Sequence, residues 1–158
     1  MLYAQKDNVY IYGSVQDHIS GKKVKDFHVT ARDTADTTFV IHAMIKGRDE
    51  FNVNLPYDRV YRLEFDREGY VQKHALLNLN IPDIQARKEG FGMRLVMNLV
   101  PWVEGVDYAL CELPFGKAQY DPCAKDMRWD EAYSQGLRPA YKTLAEAIEV
   151  SRKSTSSK

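Results

Sequence analysis

The chain has 158 residues, with 22 Lys+Arg balanced by 22 Asp+Glu and 44% hydrophobic residues. That is enough for one domain with a real core, or one small domain with an extension, and no apolar run approaches the roughly 20 residues of a membrane helix. A formal charge of zero removes the basic footprint of a nucleic-acid or anionic-membrane binder, so nucleic acid is not an expected partner and any membrane association would be peripheral.

Residues 1–7 lack the basic and apolar stretches of a signal peptide, yet Leu2-Tyr3-Ala4-Gln5 looks like the end of one, cut before Gln5. Export to the periplasm or cell surface is the expectation that follows. Asn8 to Gln16 alternates, with Val9, Ile11 and Val15 on one face and Tyr10 and Tyr12 on the other, and Gly13 marks a bulge or a close backbone approach. After a turn at Asp17 to Lys22, Val24 to Arg32 places Phe27, Val29 and Ala31 inward.

Thr38 to Lys46 resumes the pattern with Phe39, Ile41, Ala43 and Ile45, and Phe51, Val53 and Leu55 alternate up to Pro56. Tyr61, Leu63 and Phe65 form the next inward row; Arg67-Glu68-Gly69-Tyr70 turns the chain, and Val71 to Leu79 leaves the corner as another strand. Six short strands at roughly 8 to 12 residue spacing predict an antiparallel sandwich.

Pro82 to Glu89 predicts a helical turn closed by Gly90, and Phe91 to Val100 a further strand, apolar enough on both faces to be central. Val106 to Glu112 reads as a strand, and Gly116 to Tyr120 with Met127 to Trp129 as a hairpin around Asp121-Pro122-Cys123-Ala124-Lys125-Asp126. Tyr133, Leu137, Tyr141, Leu144 and Ile148 recur at helical spacing with Asp130 as cap. Pro139 predicts a break, giving a short turn before Gly136 and a main helix from Pro139 to Arg152. The polar stretch 151–158 is expected to be a loose tail.

Gly13-Ser14-Val15-Gln16-Asp17 followed by Ser20-Gly21-Lys22-Lys23-Val24 resembles the GxVxDxxTGKPL opening of carboxypeptidase regulatory-like domains. Tyr61-Arg62-Leu63-Glu64-Phe65 with Glu68-Gly69-Tyr70 resembles their YxLxFSxxGY close. The resemblance covers about residues 8 to 80 and implies a transthyretin-like, Ig-like β-sandwich. Where the family carries TDxxGxF, Ile45 to Phe51 keeps only Gly47 and Phe51. The part after residue 82 resembles an extension in envelope proteins of Bacteroidetes-type bacteria.

The resulting expectation is a mainly β chain: residues 8–81 a carboxypeptidase regulatory-like sandwich, and 82–150 an extension with a C-terminal β-hairpin and one amphipathic helix. The family is a non-catalytic accessory or binding module, commonly exported, and brings no catalytic residues. A binding or structural module of the cell envelope, with an envelope protein or a glycan as partner, is therefore the leading reading. A hydrolase with its site between sandwich and extension, and a purely structural oligomerising domain, are the alternatives.

No catalytic, cofactor or metal residues are expected. His42 and His74 could meet across a sheet with Asp33 or Asp36 nearby, but no HExxH or CxxC spacing supports a metal. Ser14, Ser20 and Ser134 lack a GxSxG elbow, and Cys111 with Cys123 allows either a disulfide or two free thiols. Trp102, Tyr108, Phe115, Tyr120 and Trp129 make the densest aromatic group, which either forms an interaction surface or seals the extension onto the sandwich.

Overall fold

A computed structural model describes residues 7–156; the expected signal-peptide remnant lies outside them apart from Asp7. Ten strands form two sheets: β1 (Asn8–Asp17), β2 (Phe27–Asp33), β3 (Val40–Ile45), β4 (Glu50–Pro56), β5 (Val60–Asp66), β6 (Tyr70–Val71), β7 (Lys73–Asn78), β8 (Phe91–Pro101), β9 (Lys117–Asp121) and β10 (Asp126–Trp129). One sheet has the order β4-β1-β8-β6 and the other β10-β9-β7-β5-β2-β3. The chain is a β-sandwich with a C-terminal hairpin and helix.

The inward rows read from the sequence are the core. Val9, Ile11, Val15, Phe27, Leu55, Tyr61, Leu63 and Phe65 are all fully buried between the sheets. The alternation decides this directly, because a one-residue slip would expose each row. Tyr61 keeps its hydroxyl satisfied by donating to the Pro56 carbonyl at 2.9 Å. Gly13 does mark a close approach: a Cβ there would lie 1.7 Å from the Leu95 carbonyl oxygen of β8.

The two motif ends meet. Asp17 accepts from the Ile19 and Ser20 amides at 2.7 and 2.9 Å, and Tyr70, just past the Gly69 corner, donates its hydroxyl to the other Asp17 oxygen at 2.8 Å. Burial pushes the Asp17 carboxyl up, but these hydrogen bonds outweigh it and hold it below its ordinary range.

Four features differ from expectation. The run Val71 to Leu79 is not one strand: Tyr70 and Val71 pair with β8 in one sheet, and from Lys73 the chain pairs with β5 in the other. β8 lies between β1 and β6, parallel to β1 over Val9–Asp17, so the first sheet runs across the boundary expected after residue 81. Val106 to Glu112 is not a strand. Asp107 accepts from the Ala109 amide at 2.9 Å, and a 3-10 turn follows over Ala109–Glu112; local side-chain bonding defeats the alternation.

The fourth difference is at the C-terminus. α1 (Ile84–Glu89) forms as expected, capped by Asp83 and closed by Gly90, but α2 is one continuous helix over Glu131–Ser156 with Pro139 inside it. Asp130 caps it through the Tyr133 amide at 3.0 Å. Pro139 falls on the exposed side, where water can take the carbonyl it leaves unbonded. Residues 151–156 are helical rather than loose: Ser151 donates to the Glu104 carbonyl at 3.1 Å, and Ser154 and Thr155 bond back to Val150 and Ser151.

Candidate ligand cleft between sandwich and helix

Lys73 is the residue that the fold places most unusually. Along β7 the inward set is Ala75 and Leu77, continued by Leu79, so parity turns Lys73 inward as well. It sits where the chain has just crossed from one sheet to the other, and its ammonium reaches back across the gap to donate to the Asn98 carbonyl of β8 at 2.7 Å. Lys73 as a whole is only 4% exposed.

Two rings cap the ammonium, Tyr141 of α2 with its centroid 4.4 Å away and Phe115 at 5.4 Å. No carboxylate forms an ion pair with it among the described residues. Burial therefore dominates and pulls the Lys73 pKa down to about 8, with a small opposing effect of the Cys111 thiol. An ammonium carries three donors, and one of them is engaged.

This lysine lines a cleft of about 350 Å³ between the end of the sandwich and α2. His18, from the turn after β1, and Asn98 form one wall; Phe115, Leu137 and Tyr141 form the other. Arg138 and Lys142 stand at the exposed rim, so the lining holds three permanent or near-permanent cations and no carboxylate. Gln16 steadies the Asn98 side chain by donating to it at 2.7 Å.

His18 is held below its ordinary pKa by burial and by Lys73, which makes it a neutral, polarisable neighbour at neutral pH. The Tyr141 hydroxyl is raised strongly by burial and has no hydrogen-bond partner among the described residues. A buried donor left unpaired costs about 1–3 kcal/mol, so the cleft side of α2 carries polar capacity that the protein itself does not satisfy. Ser134 lines the same cleft, but among the described residues no hydrogen bond joins it to Lys73 or His18, and it lacks the base a nucleophile needs.

The expected aromatic group is divided. Phe115 and Trp129 pack together at 6.2 Å, Tyr120 packs on Phe91 at 5.8 Å, and all three lie against the main core. Tyr108 stands apart near α2, where its hydroxyl accepts from the Val103 amide at 2.7 Å and donates to the Pro101 carbonyl at 2.8 Å. Trp102 is 59% exposed. Only Phe115 belongs to the cleft.

The histidines are also redistributed. His42 on β3 and His74 on β7 are separated by β2 and β5 and do not meet. His42 instead touches His28 of β2 at 3.1 Å, nitrogen to nitrogen, while His74 is buried beside Glu64, and burial draws its pKa down to about 4. Asp33 is held by Arg59 at 2.5 Å and by the Ala35 amide at 2.8 Å. Cys111 is a buried free thiol and Cys123 an exposed one.

Lys73 was the residue missed in the sequence, although its signal was present. Counting back by twos from Leu79 through Leu77 and Ala75 reaches Lys73, and a lysine on an inward row is a functional flag.

No family model matches this sequence, and no curated protein does. Among solved structures, wild-type catechol 1,2-dioxygenase from Acinetobacter radioresistens is 13% identical with a TM-score of 0.43, over 62% of this chain and 53% of its own. A proposed membrane-associated protein of unknown function from Bacteroides fragilis is 19% identical with a TM-score of 0.41, over 63% of this chain and 30% of its own. A proposed carbohydrate-binding protein from Bacteroides uniformis is 12% identical with a TM-score of 0.42, over 73% and 48%. The chain thus spans about half or less of each of these proteins. No helix of the described residues is long and apolar enough to cross a membrane.

Proposed function

We propose that the chain is a non-catalytic binding module whose ligand site is the cleft between the sandwich and α2, and that the ligand is a small molecule with an anionic group on an apolar body. The observation that carries this reading is Lys73, a buried ammonium with no counter-charge among the described residues and donors to spare. A carboxylate entering the cleft would supply the missing charge, while Phe115, Leu137 and Tyr141 would cover an aromatic or aliphatic body. Arg138 and Lys142 at the rim would steer anions inward. The carboxylate end of an envelope protein with an apolar last residue meets the same description, and an acidic glycan would share its anionic group.

An envelope location goes with it through the resemblance of residues 8–80 to carboxypeptidase regulatory-like domains. The hydrolase alternative places its site in the same cleft, and the convergence of Lys73, His18 and Tyr141 there is what it would need. Binding is favoured because Ser134 has no activating partner and the Lys73 ammonium is already engaged with Asn98 and two rings.

The test is calorimetric titration with benzoate and with uncharged benzamide. Benzoate is expected to bind at pH 7, to weaken as the pH passes 8 and Lys73 loses its proton, and to fail with Lys73→Met. Equal binding of both probes, or benzoate binding that survives Lys73→Met, would sink the proposal.

A further inference from the structure

The structure assigns a transition-metal site to the outer face of the six-stranded sheet, at His28 and His42, apart from the cleft and from anything the fold resemblance implies. Strands β2 and β3 are antiparallel neighbours, with Thr30 opposite His42 and His28 opposite Met44. The two histidines are therefore diagonal partners on one face, and their rings stack with centroids 5.1 Å apart.

The contact atoms are the ones a metal requires. His28 Nδ1 lies 3.1 Å from His42 Nε2. An ion bonded to nitrogen at about 2.0–2.1 Å in tetrahedral geometry holds its ligands roughly 3.3 to 3.4 Å apart, so the pair needs to open by only a few tenths of an ångström.

The second nitrogen of His42, Nδ1, lies 2.9 Å from the Thr30 hydroxyl. With its proton directed at Thr30, His42 presents the Nε2 lone pair, which is how an outer hydrogen bond fixes the tautomer of a metal-ligating histidine. His28 then needs only to carry its proton on Nε2 instead of Nδ1 for both lone pairs to face the ion. No net proton leaves the protein.

Met44 is directly opposite His28 on β3 and on the same face by strand parity, while among the described residues no third histidine, cysteine or carboxylate joins the pair, so the remaining positions fall to Met44 and water. Met44 is 43% exposed on the edge strand, an unusual place for a thioether with nothing to cover it. Two imidazoles with a thioether on the same face select a first-row ion with nitrogen and sulfur preference, copper ahead of zinc, over magnesium or calcium. Glu64, in the row between Thr30 and His74, is held by Arg32 at 2.6 Å and Arg62 at 3.0 Å and is not free to join.

The experiment is calorimetric titration of the metal-depleted, untagged chain with copper(II), zinc(II) and magnesium, paired with NMR of the histidine rings under zinc. One equivalent of copper or zinc is expected, with magnesium inert and with the His28 and His42 ring signals moving while those of His18 and His74 stay. His28→Ala and His42→Ala should each weaken binding roughly tenfold or more, and Thr30→Val roughly tenfold through loss of the orienting hydrogen bond. His28 and His42 lie on the sheet surface whereas Thr30 is buried, so thermal melts check the fold of each variant; His42→Gln repeats the test with a polar side chain retained. Binding unchanged in the His42 variants, ring shifts confined to His18 or His74, or no stoichiometric uptake would overturn the site and leave the contact as a plain histidine hydrogen bond.

Discussion

The molecule has two interiors of opposite character. Between the sheets the core is apolar, and the hydroxyl of Tyr61 within it finds the Pro56 carbonyl. Under α2 a smaller cluster of Val100, Cys111, Tyr141, Leu144 and Ile148 borders a buried ammonium, a free thiol and an unpartnered hydroxyl. The first interior is organised for stability, and among its described residues one buried side-chain polar atom, the Tyr57 hydroxyl, lacks a hydrogen-bond partner. The second tolerates groups that destabilise a folded chain unless something else occupies the space, and that contrast locates the site.

The comparison can be broken most forcefully at Gly13. A Gly13→Ala change drives a Cβ into the Leu95 carbonyl, a backbone atom that cannot step aside, and should cost about 4 kcal/mol or more in a denaturant melt. Leu63→Ala, in the same interior and fully buried, should cost about 2–5 kcal/mol. Comparable losses at Leu144, at the edge of the second interior, would show that the two cores are not so different.

Lys73→Met probes the second interior through its pH dependence. Unfolded, the lysine keeps its proton to about pH 10.5; folded, it releases it near pH 8. Between these values the unfolded chain binds more protons, so Lys73 should add to wild-type stability as the pH rises, by about 3 kcal/mol over the whole window, a gain that Lys73→Met lacks, while the Cys111 thiol, raised by burial, acts in the opposite direction in both proteins. Tyr61, raised by burial to about 12, acts in the opposite direction above pH 10, so urea midpoints of the two proteins are best compared between pH 8 and 10. Parallel curves would mean that the ammonium is not the strained group.

Asp17→Ala removes three hydrogen bonds at the joint between the two motif segments and should cost about 1–3 kcal/mol. Because its folded pKa is depressed, its contribution is present above its ordinary pKa and is lost as the pH falls through the folded value, so acid melts should show a smaller difference than neutral ones. The smallest effect is a gain. Gly136 sits inside α2 with open space around its missing Cβ, and Gly136→Ala should stabilise by about 0.5–1 kcal/mol without touching ligand binding.

Much of the sandwich was legible because its strands obey a strict two-residue period. Val9, Ile11, Phe27, Val29, Tyr61 and Phe65 could be assigned inward from alternation alone, and Gly13 as a close approach from its interruption of a strand. The helix was legible in its apolar spacing but not in its length, because Pro139 is a local breaker that an exposed helix face can absorb. Val106 to Glu112 misled because Val106, Tyr108 and Leu110 alternate while Asp107 bends the chain through a single side-chain bond. The site was largely illegible. Lys73 could be placed on the inward row by counting back from Leu79, but the cleft it faces forms only through the switch of sheets at Gln72, and the pairing of His28 with His42 depends on register, which no spacing between them encodes.

The position of β8 beside β1 has a consequence for how the chain is made. In the first sheet β1 has a central place, and its parallel neighbour is synthesised about 80 residues later. Until then one long edge of β1, with Tyr10 and Tyr12 beside it, is open to pairing with any extended segment that passes. A nascent chain of this topology therefore keeps an open edge on β1 until its eighth strand emerges, and a holdase acting in that interval would protect yield more than any gain in final stability.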